Sequence, residues 1–270
     1  MRNIPLKYVI TLVLALSLVS CSKYDKLLKS TDYPKKYEVA MKYYGEKDYF
    51  RALQLFDDLY VYYRGTERLK DVMYYLAYCY YNKEDYIMAS YYFKEFTKVY
   101  PTEPRAEESA FRNAYCYYLD SPDYELDQSN TLHAINEMQL FLNNYPQSTR
   151  VEECNKVVDQ LRAKLELKSY ENAKLYYKME EYAAAAIAFT NLIKDYPDTK
   201  NREEAMFLIL KSQYIYARKS VAIKKAVRFR AAMESYRAFI LKYPESKNRR
   251  DADAISEQIV REMKLINAEI

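Results

Sequence analysis

The chain has 270 residues, half of them hydrophobic, with two glycines, eight prolines, no tryptophan and 33 tyrosines. So little glycine argues against the hairpin turns of an all-β fold and the phosphate-cradling loops of a nucleotide-binding fold, while abundant Leu, Ala, Lys and Glu favour helix. A formal net charge of +4 is too mild for a surface that grips nucleic acid throughout, and no nucleic-acid partner is expected.

Residues 1–20 read as a secretory leader. Arg2 and Lys7 make a positive start, and Tyr8 to Val19 is an apolar stretch of about a dozen residues, short of the roughly 20 that a membrane-spanning helix needs. Losing the leader's two cations leaves a mature charge near +2. The stretch ends Leu18-Val19-Ser20-Cys21, which resembles the lipobox of bacterial lipoproteins; the bland alternative is an ordinary leader with a chance cysteine. The resemblance implies that Cys21 becomes an acylated N-terminus, and Ser22 in place of aspartate implies sorting to the outer membrane. Multiple acyl chains anchor firmly without a spanning segment. Residues 21–32 are expected to be the lipidated cysteine and a tether.

The body is repetitive. Tyr-Pro recurs at Tyr100-Pro101, Tyr145-Pro146, Tyr196-Pro197 and Tyr243-Pro244, each closing one pattern of large residues: Phe93/Phe96, Met138/Phe141, Phe189/Leu192 and Tyr236/Phe239. Phe56/Leu59/Tyr63 is a fifth copy with Arg64 in place of proline. Steps of three and four put these residues on one helical face, and proline stops the helix. Small residues sit twelve before the proline position (Ala52, Ala89, Ala134, Ala185, Ala232), and twelve before those in the copies without insertions (Ala40, Ala77, Ala173). Ala114 and Leu210 fill the latter place once insertions are allowed. This is the signature of the tetratricopeptide (TPR) pair of antiparallel helices, in which small residues mark the close crossings. One pair cannot bury its own face, so several must stack. The expected fold is all-α: a right-handed α-solenoid of about five TPR-like pairs. Residues 33–147 would hold repeats one to three. Residues 148–270 would hold a linking helix, repeats four and five and a C-terminal capping helix over 246–270.

Two insertions break the register. Leu119 to Thr131 lengthens the turn of the third repeat, and residues 215–230 are expected to lengthen the turn of the fifth. Ser148 to Tyr177 lacks proline and glycine and reads as one extended helix, or a helix plus an extra turn.

Catalytic chemistry finds little footing. The single histidine, His133, permits no Ser-His-Asp or Cys-His pair and no multi-histidine metal site, and no carboxylate pair stands out. No enzyme activity, metal or cofactor is expected. Cys79, Cys116 and Cys154 read as small buried hydrophobes, although a periplasm would permit a bridge.

Binding is the stronger theme. Three residues before the small residue of each first helix stand Tyr37, Tyr74, Phe111, Tyr170 and Phe207; four residues after it stand Tyr44, Tyr81, Tyr118, Tyr177 and Tyr214. All ten are aromatic. The two rows share a face about 100° from the face that carries Val39, Ala40 and Tyr43. Between the rows lie Met41, Tyr78, Tyr115, Lys174 and Lys211. Two readings stand: a groove that captures peptide, centred on Tyr37, Tyr44, Tyr74, Tyr78, Tyr81, Phe111, Tyr115 and Tyr118, or packing between repeats. Separately, residues 218–250 are rich in Lys and Arg. Lys224, Lys225, Arg228, Arg230 and Arg237 could meet an acidic protein partner or anionic lipid, or could simply face solvent.

A lipobox cysteine followed by five TPRs resembles the BamD family, lipoproteins of the outer-membrane β-barrel assembly machine. The stretches Tyr43-Tyr44-Gly45-Glu46-Lys47-Asp48-Tyr49-Phe50-Arg51-Ala52, Ala77-Tyr78-Cys79-Tyr80-Tyr81 and Val151-Glu152-Glu153-Cys154-Asn155 look like its Bacteroidetes branch. The resemblance implies a periplasm-facing scaffold anchored in the outer membrane. Its C-terminal repeats would dock a BamA-like barrel protein, and its N-terminal repeats would meet unfolded outer-membrane protein precursors. The rival readings are a periplasmic TPR adaptor for envelope constriction or wall synthesis, which commonly carries a coiled-coil segment, and a carbohydrate-binding lipoprotein, which favours tryptophan. This chain has no heptad run and no tryptophan.

Overall fold

The structure is a computed structural model, and it describes residues 23–268. Within them a helical stretch over 23–28 precedes eleven longer helices: α1 (Tyr33–Gly45), α2 (Tyr49–Tyr62), α3 (Leu69–Asn82), α4 (Tyr86–Val99), α5 (Ala106–Leu119), α6 (Ser129–Asn144), α7 (Val151–Lys178), α8 (Tyr182–Asp195), α9 (Arg202–Arg218), α10 (Ala222–Lys242) and α11 (Arg249–Ala268). No strand occurs among the described residues. The helices group into two units. The first runs to Pro122 and resumes over Gln128–Val158; the second is Asp123–Asp127 and Asp159 onward.

The repeat logic sets where helices stop. Tyr100, Tyr145, Tyr196 and Tyr243 leave the helix at φ between −125° and −132°, because the following proline denies them helical backbone. Tyr63, followed by Arg64, stays near-helical at φ −87°, and Gly65 at φ +78° makes the exit instead. The turns inside repeats one, two and four share another device. Lys47, Glu84 and Glu180 adopt left-handed backbone at φ 61–62°. Asp48 and Asp85 then cap the next helix, accepting from the Arg51 and Met88 amides at 3.1 and 3.2 Å.

In the first unit the predicted small residues Ala40, Ala52, Ala77, Ala89, Ala114 and Ala134 are fully buried, as are Phe56, Leu59, Phe93, Phe96 and Met138. In the second, Ala173, Ala185, Ala232, Phe189, Leu192, Leu210 and Phe239 are likewise buried. Tyr236 is the partial exception, with its hydroxyl turned to Asp253 at 2.7 Å.

The stretch over 148–177 forms one extended helix, the 28-residue α7 over Val151–Lys178, and the division between units falls inside it, after Val158. The third-repeat insertion joins the second unit through residues 123–127, because the Lys168 ammonium on α7 donates to the carbonyls of Tyr124, Glu125 and Leu126 at 2.9, 3.2 and 2.9 Å. Residues 215–230 do not lengthen a turn: α9 extends to Arg218, α10 starts at Ala222, and only three residues intervene. That stretch holds no glycine or proline, so the extra residues propagate helix on both sides. α11 closes the second unit, burying Ala252 and Ile259 against α9 and α10.

Nor are residues 23–32 a free tether. Tyr24 packs edge-on against Tyr43 at 5.6 Å and donates its hydroxyl to the Arg51 carbonyl (3.0 Å) and to Gln54 Oε1 (2.7 Å). The buried Lys36 ammonium donates to the Leu28 carbonyl at 2.9 Å and pairs with Asp58, pinning the segment to the first repeat.

Candidate protein-interaction site

The first unit gathers most of the predicted aromatic residues on its first helices α1, α3 and α5. Tyr37, Tyr44, Tyr74, Tyr78, Tyr81, Tyr115 and Tyr118 are each half-buried, with rings that pack on their neighbours and edges that reach the surface. Tyr44 sits edge-on to Tyr75 at 5.0 Å; Tyr74 to Tyr78 at 4.9 Å; Tyr78 to Phe93 at 5.0 Å. Tyr115 lies 5.3 Å from both Phe111 and Tyr118. Such rings combine large contact area with little rotamer freedom.

Phe111 departs from the expectation. It is 1% exposed and cannot itself offer a binding surface. Its ring is enclosed by several groups together: the Arg150 guanidinium 4.2 Å from the ring centre, Phe141 at 5.8 Å and Arg112 at 5.8 Å. The Arg150 contact is one case of a rule that sequence reading missed. Arg68 and Arg105 cap the N-termini of α3 and α5, and Arg150 directly precedes α7. Each covers the outer aromatic of the preceding first helix: Arg68 over Tyr37 at 5.1 Å, Arg105 over Tyr74 at 4.9 Å, Arg150 over Phe111. A cation at a helix N-terminus opposes the helix dipole. Here it is compensated by carboxylates: Arg105 donates to Asp71 at 2.9 Å and to Glu103 at 3.1 Å, and Arg150 pairs with Glu108. The signal was present, since each arginine follows the repeat's closing tyrosine by five residues: Tyr63, Tyr100 and Tyr145.

The centre of the face is a polar knot. Glu108 accepts from the Tyr78 hydroxyl at 2.8 Å and from Arg112 Nε at 2.7 Å, besides its pairing with Arg150. Arg112 Nη1 donates to the Tyr81 hydroxyl at 3.2 Å, with its guanidinium 5.1 Å from that ring. Burial alone would raise the Glu108 pKa, but the hydrogen bonds from Arg112 and Tyr78 and the two arginine charges outweigh it and hold the carboxyl below its ordinary value. The phenols move the other way. Burial, with smaller repulsions from Cys79 and neighbouring tyrosines, pushes Tyr44 up to about 12; burial and hydrogen bonding to Tyr74 and Glu108 raise Tyr78; and burial raises Tyr37, Tyr81 and Tyr115. The phenols therefore remain hydrogen-bond donors, not nucleophiles, at neutral pH.

Residues 30–227 match the YfiO family, described as outer membrane lipoproteins. The chain belongs to that family. Two solved structures also resemble it: the TPR2AB-domain:pHSP90-complex of yeast Sti1 (14% identity over 84% of this chain and 98% of that one, TM-score 0.38) and the TPR domain of P58(IPK) (13% identity over 89% and 68%, TM-score 0.40). Neither likeness is close enough to speak to partners. No curated protein matches the chain. Membership of the YfiO (BamD-like) family makes the protein an outer-membrane lipoprotein, associated in general with barrel assembly.

The remaining predicted sites in this YfiO-family chain divide. Cys21 lies outside the described residues. In the second unit the aromatic rows serve packing: Tyr170, Phe207 and Tyr214 are buried, and only Tyr177 is half-exposed. On α10, Lys224, Arg230 and Arg237 are exposed and Lys225 is half-buried. Arg228 is not a free docking charge, since its guanidinium lies 3.9 Å from the centre of Tyr216 and it bonds Ser220 Oγ, clamping the α9–α10 turn. His133 is exposed, 5.4 Å from the Tyr117 ring. Cys79, Cys116 and Cys154 are buried free thiols, raised chiefly by desolvation to about 12, 12 and 11. Among the described residues no helix is long and apolar enough to cross a membrane, and no three His, Cys, Asp or Glu side chains are grouped to hold a metal ion.

Proposed function

We propose that the protein is an outer-membrane scaffold of the β-barrel assembly machine. Acylated at Cys21 and facing the periplasm, it takes up an extended segment of an unfolded outer-membrane protein precursor on the aromatic face of its first unit. The exposed cations of α10, Lys224, Arg230 and Arg237, serve as the contact for a BamA-like barrel protein. The observation that carries the reading is the half-buried tyrosine face, capped by arginines, in a chain of the YfiO family. Rings held by their neighbours need little ordering to bind a strand.

Depletion tests the reading as a whole: outer-membrane barrel proteins should fall in abundance while other lipoproteins persist. A division or wall defect with normal barrels would overturn it in favour of an envelope adaptor. Tyr115→Ala and Tyr118→Ala should each weaken binding of a precursor C-terminal peptide by about tenfold, the scale of an aromatic anchor at a contact surface.

A further inference from the structure

The outward face of α10 carries a second pattern besides its charge. Ile223, Val227, Arg230, Glu234, Arg237 and Leu241 follow one another at steps of four, three, four, three and four, and so form one stripe along the helix. All six are exposed, with Ile223 at 88%, Leu241 at 86% and Val227 at 64%. The opposite face, through Phe229, Ala232 and Phe239, is buried against α9 and α11. Large aliphatics this bare, on a helix packed on its other side, call for a partner.

The stripe is palindromic in its chemistry. Turned end over end about the level of Ala232, it sets Ile223 against Leu241, Val227 against the aliphatic stem of Arg237, and Arg230 against Glu234. We propose that α10 pairs with α10 of a second copy, antiparallel about a two-fold axis at that level. The register places apolar contacts at both ends and two reciprocal ion pairs between them, and each layer meets its complement at no cost in symmetry. Other occupants fit less well. An acidic peptide would set its charge against Glu234, and a bilayer surface would leave that carboxylate unpaired beside anionic headgroups. A contact about 27 Å long, from 18 residue steps at about 1.5 Å rise, lies at the small end for protein interfaces. The pairing is therefore weak in dilute solution and favoured where chains share one membrane.

The pairing takes its membrane anchor from the proposed function and, by using Arg230 and Arg237, competes with the BamA-like contact. Its readout needs the chain alone, and vesicle-bound protein that fails to cross-link separates its failure from failure of the anchor. Full-length protein is reconstituted in phospholipid vesicles and oxidised. Mixed Ile223→Cys and Leu241→Cys chains should form a disulfide-linked dimer, at least tenfold more than either variant by itself, whose thiols lie at opposite ends. Arg230→Glu should lower cross-linking of that pair about tenfold, and the exchange Arg230→Glu/Glu234→Arg should restore it, with helix content by circular dichroism unchanged throughout. Absence of cross-linking, equal cross-linking of the single variants, or failure of the exchange to restore it in folded protein would each overturn the pairing.

Discussion

Arg150 shows how much one residue can decide on the tyrosine face. It covers Phe111 and pairs with Glu108, so Arg150→Ala uncovers a ring and leaves a largely buried carboxylate with one cation fewer. The expected loss is about 2 kcal/mol in urea unfolding, from one cation–π contact and one charge-assisted hydrogen bond. Glu108 adds a pH dependence. Its folded pKa lies below the unfolded value, so its contribution is complete above about 4.3 and is lost as pH falls through the lowered folded value. Glu108→Gln should lower stability at neutral pH and flatten the acid limb of a stability–pH curve. Thiol labelling supplies another test: Cys79, Cys116 and Cys154 should resist N-ethylmaleimide until the protein is denatured, after which an acylated chain shows three reactive thiols and an unacylated one four. At this scale the sequence showed which positions are aromatic but not which rings are covered, because covering depends on all the side chains that neighbouring helices bring to a ring. Phe111 and Tyr74 occupy equivalent places, yet one is sealed and the other half-open. Arg228 misled for a similar reason: charge pattern alone does not reveal that a guanidinium is stacked on Tyr216.

Helix boundaries were the most readable feature, since each rests on a local rule. Tyrosine before proline must leave the helix, and alanine at the crossings must be buried. The left-handed turns were less readable. Gly45 attracts the assignment, yet the left-handed residue is Lys47, and a methyl group on Gly45 would meet open space. Gly45→Ala should therefore stabilise the first repeat by about 0.5–1 kcal/mol, and Lys47→Gly by a comparable amount, both measurable as a rise in denaturation midpoint. A departure from repeat length over residues 215–230 does not by itself mean a loop: alanines, lysines and arginines without a breaker extend helices. The stripe on α10 begins in that same stretch, where aliphatic positions lie between the more conspicuous cations.

In a stack of helix pairs each element is stabilised mainly by its neighbours, so damage should remain near its source. Removing residues 249–270 strips Ala252 and Ile259 from the second unit, together with the bond from Tyr236 to Asp253. Hydrogen exchange should then quicken in α9 and α10 while α1–α4 keep their protection; uniform loss of protection would contradict nearest-neighbour stability. The docking of residues 23–28 bears on how the protein sits in the envelope. With Lys23 already in a packed helical stretch, Ser22 is the sole residue between it and Cys21. Acylation at Cys21 would leave a leash of one residue, too short for the body to patrol the periplasm or reach for distant clients. The edge formed by Tyr24 and α1 would then ride at headgroup level, and the lipid surface would set the orientation of the first repeat.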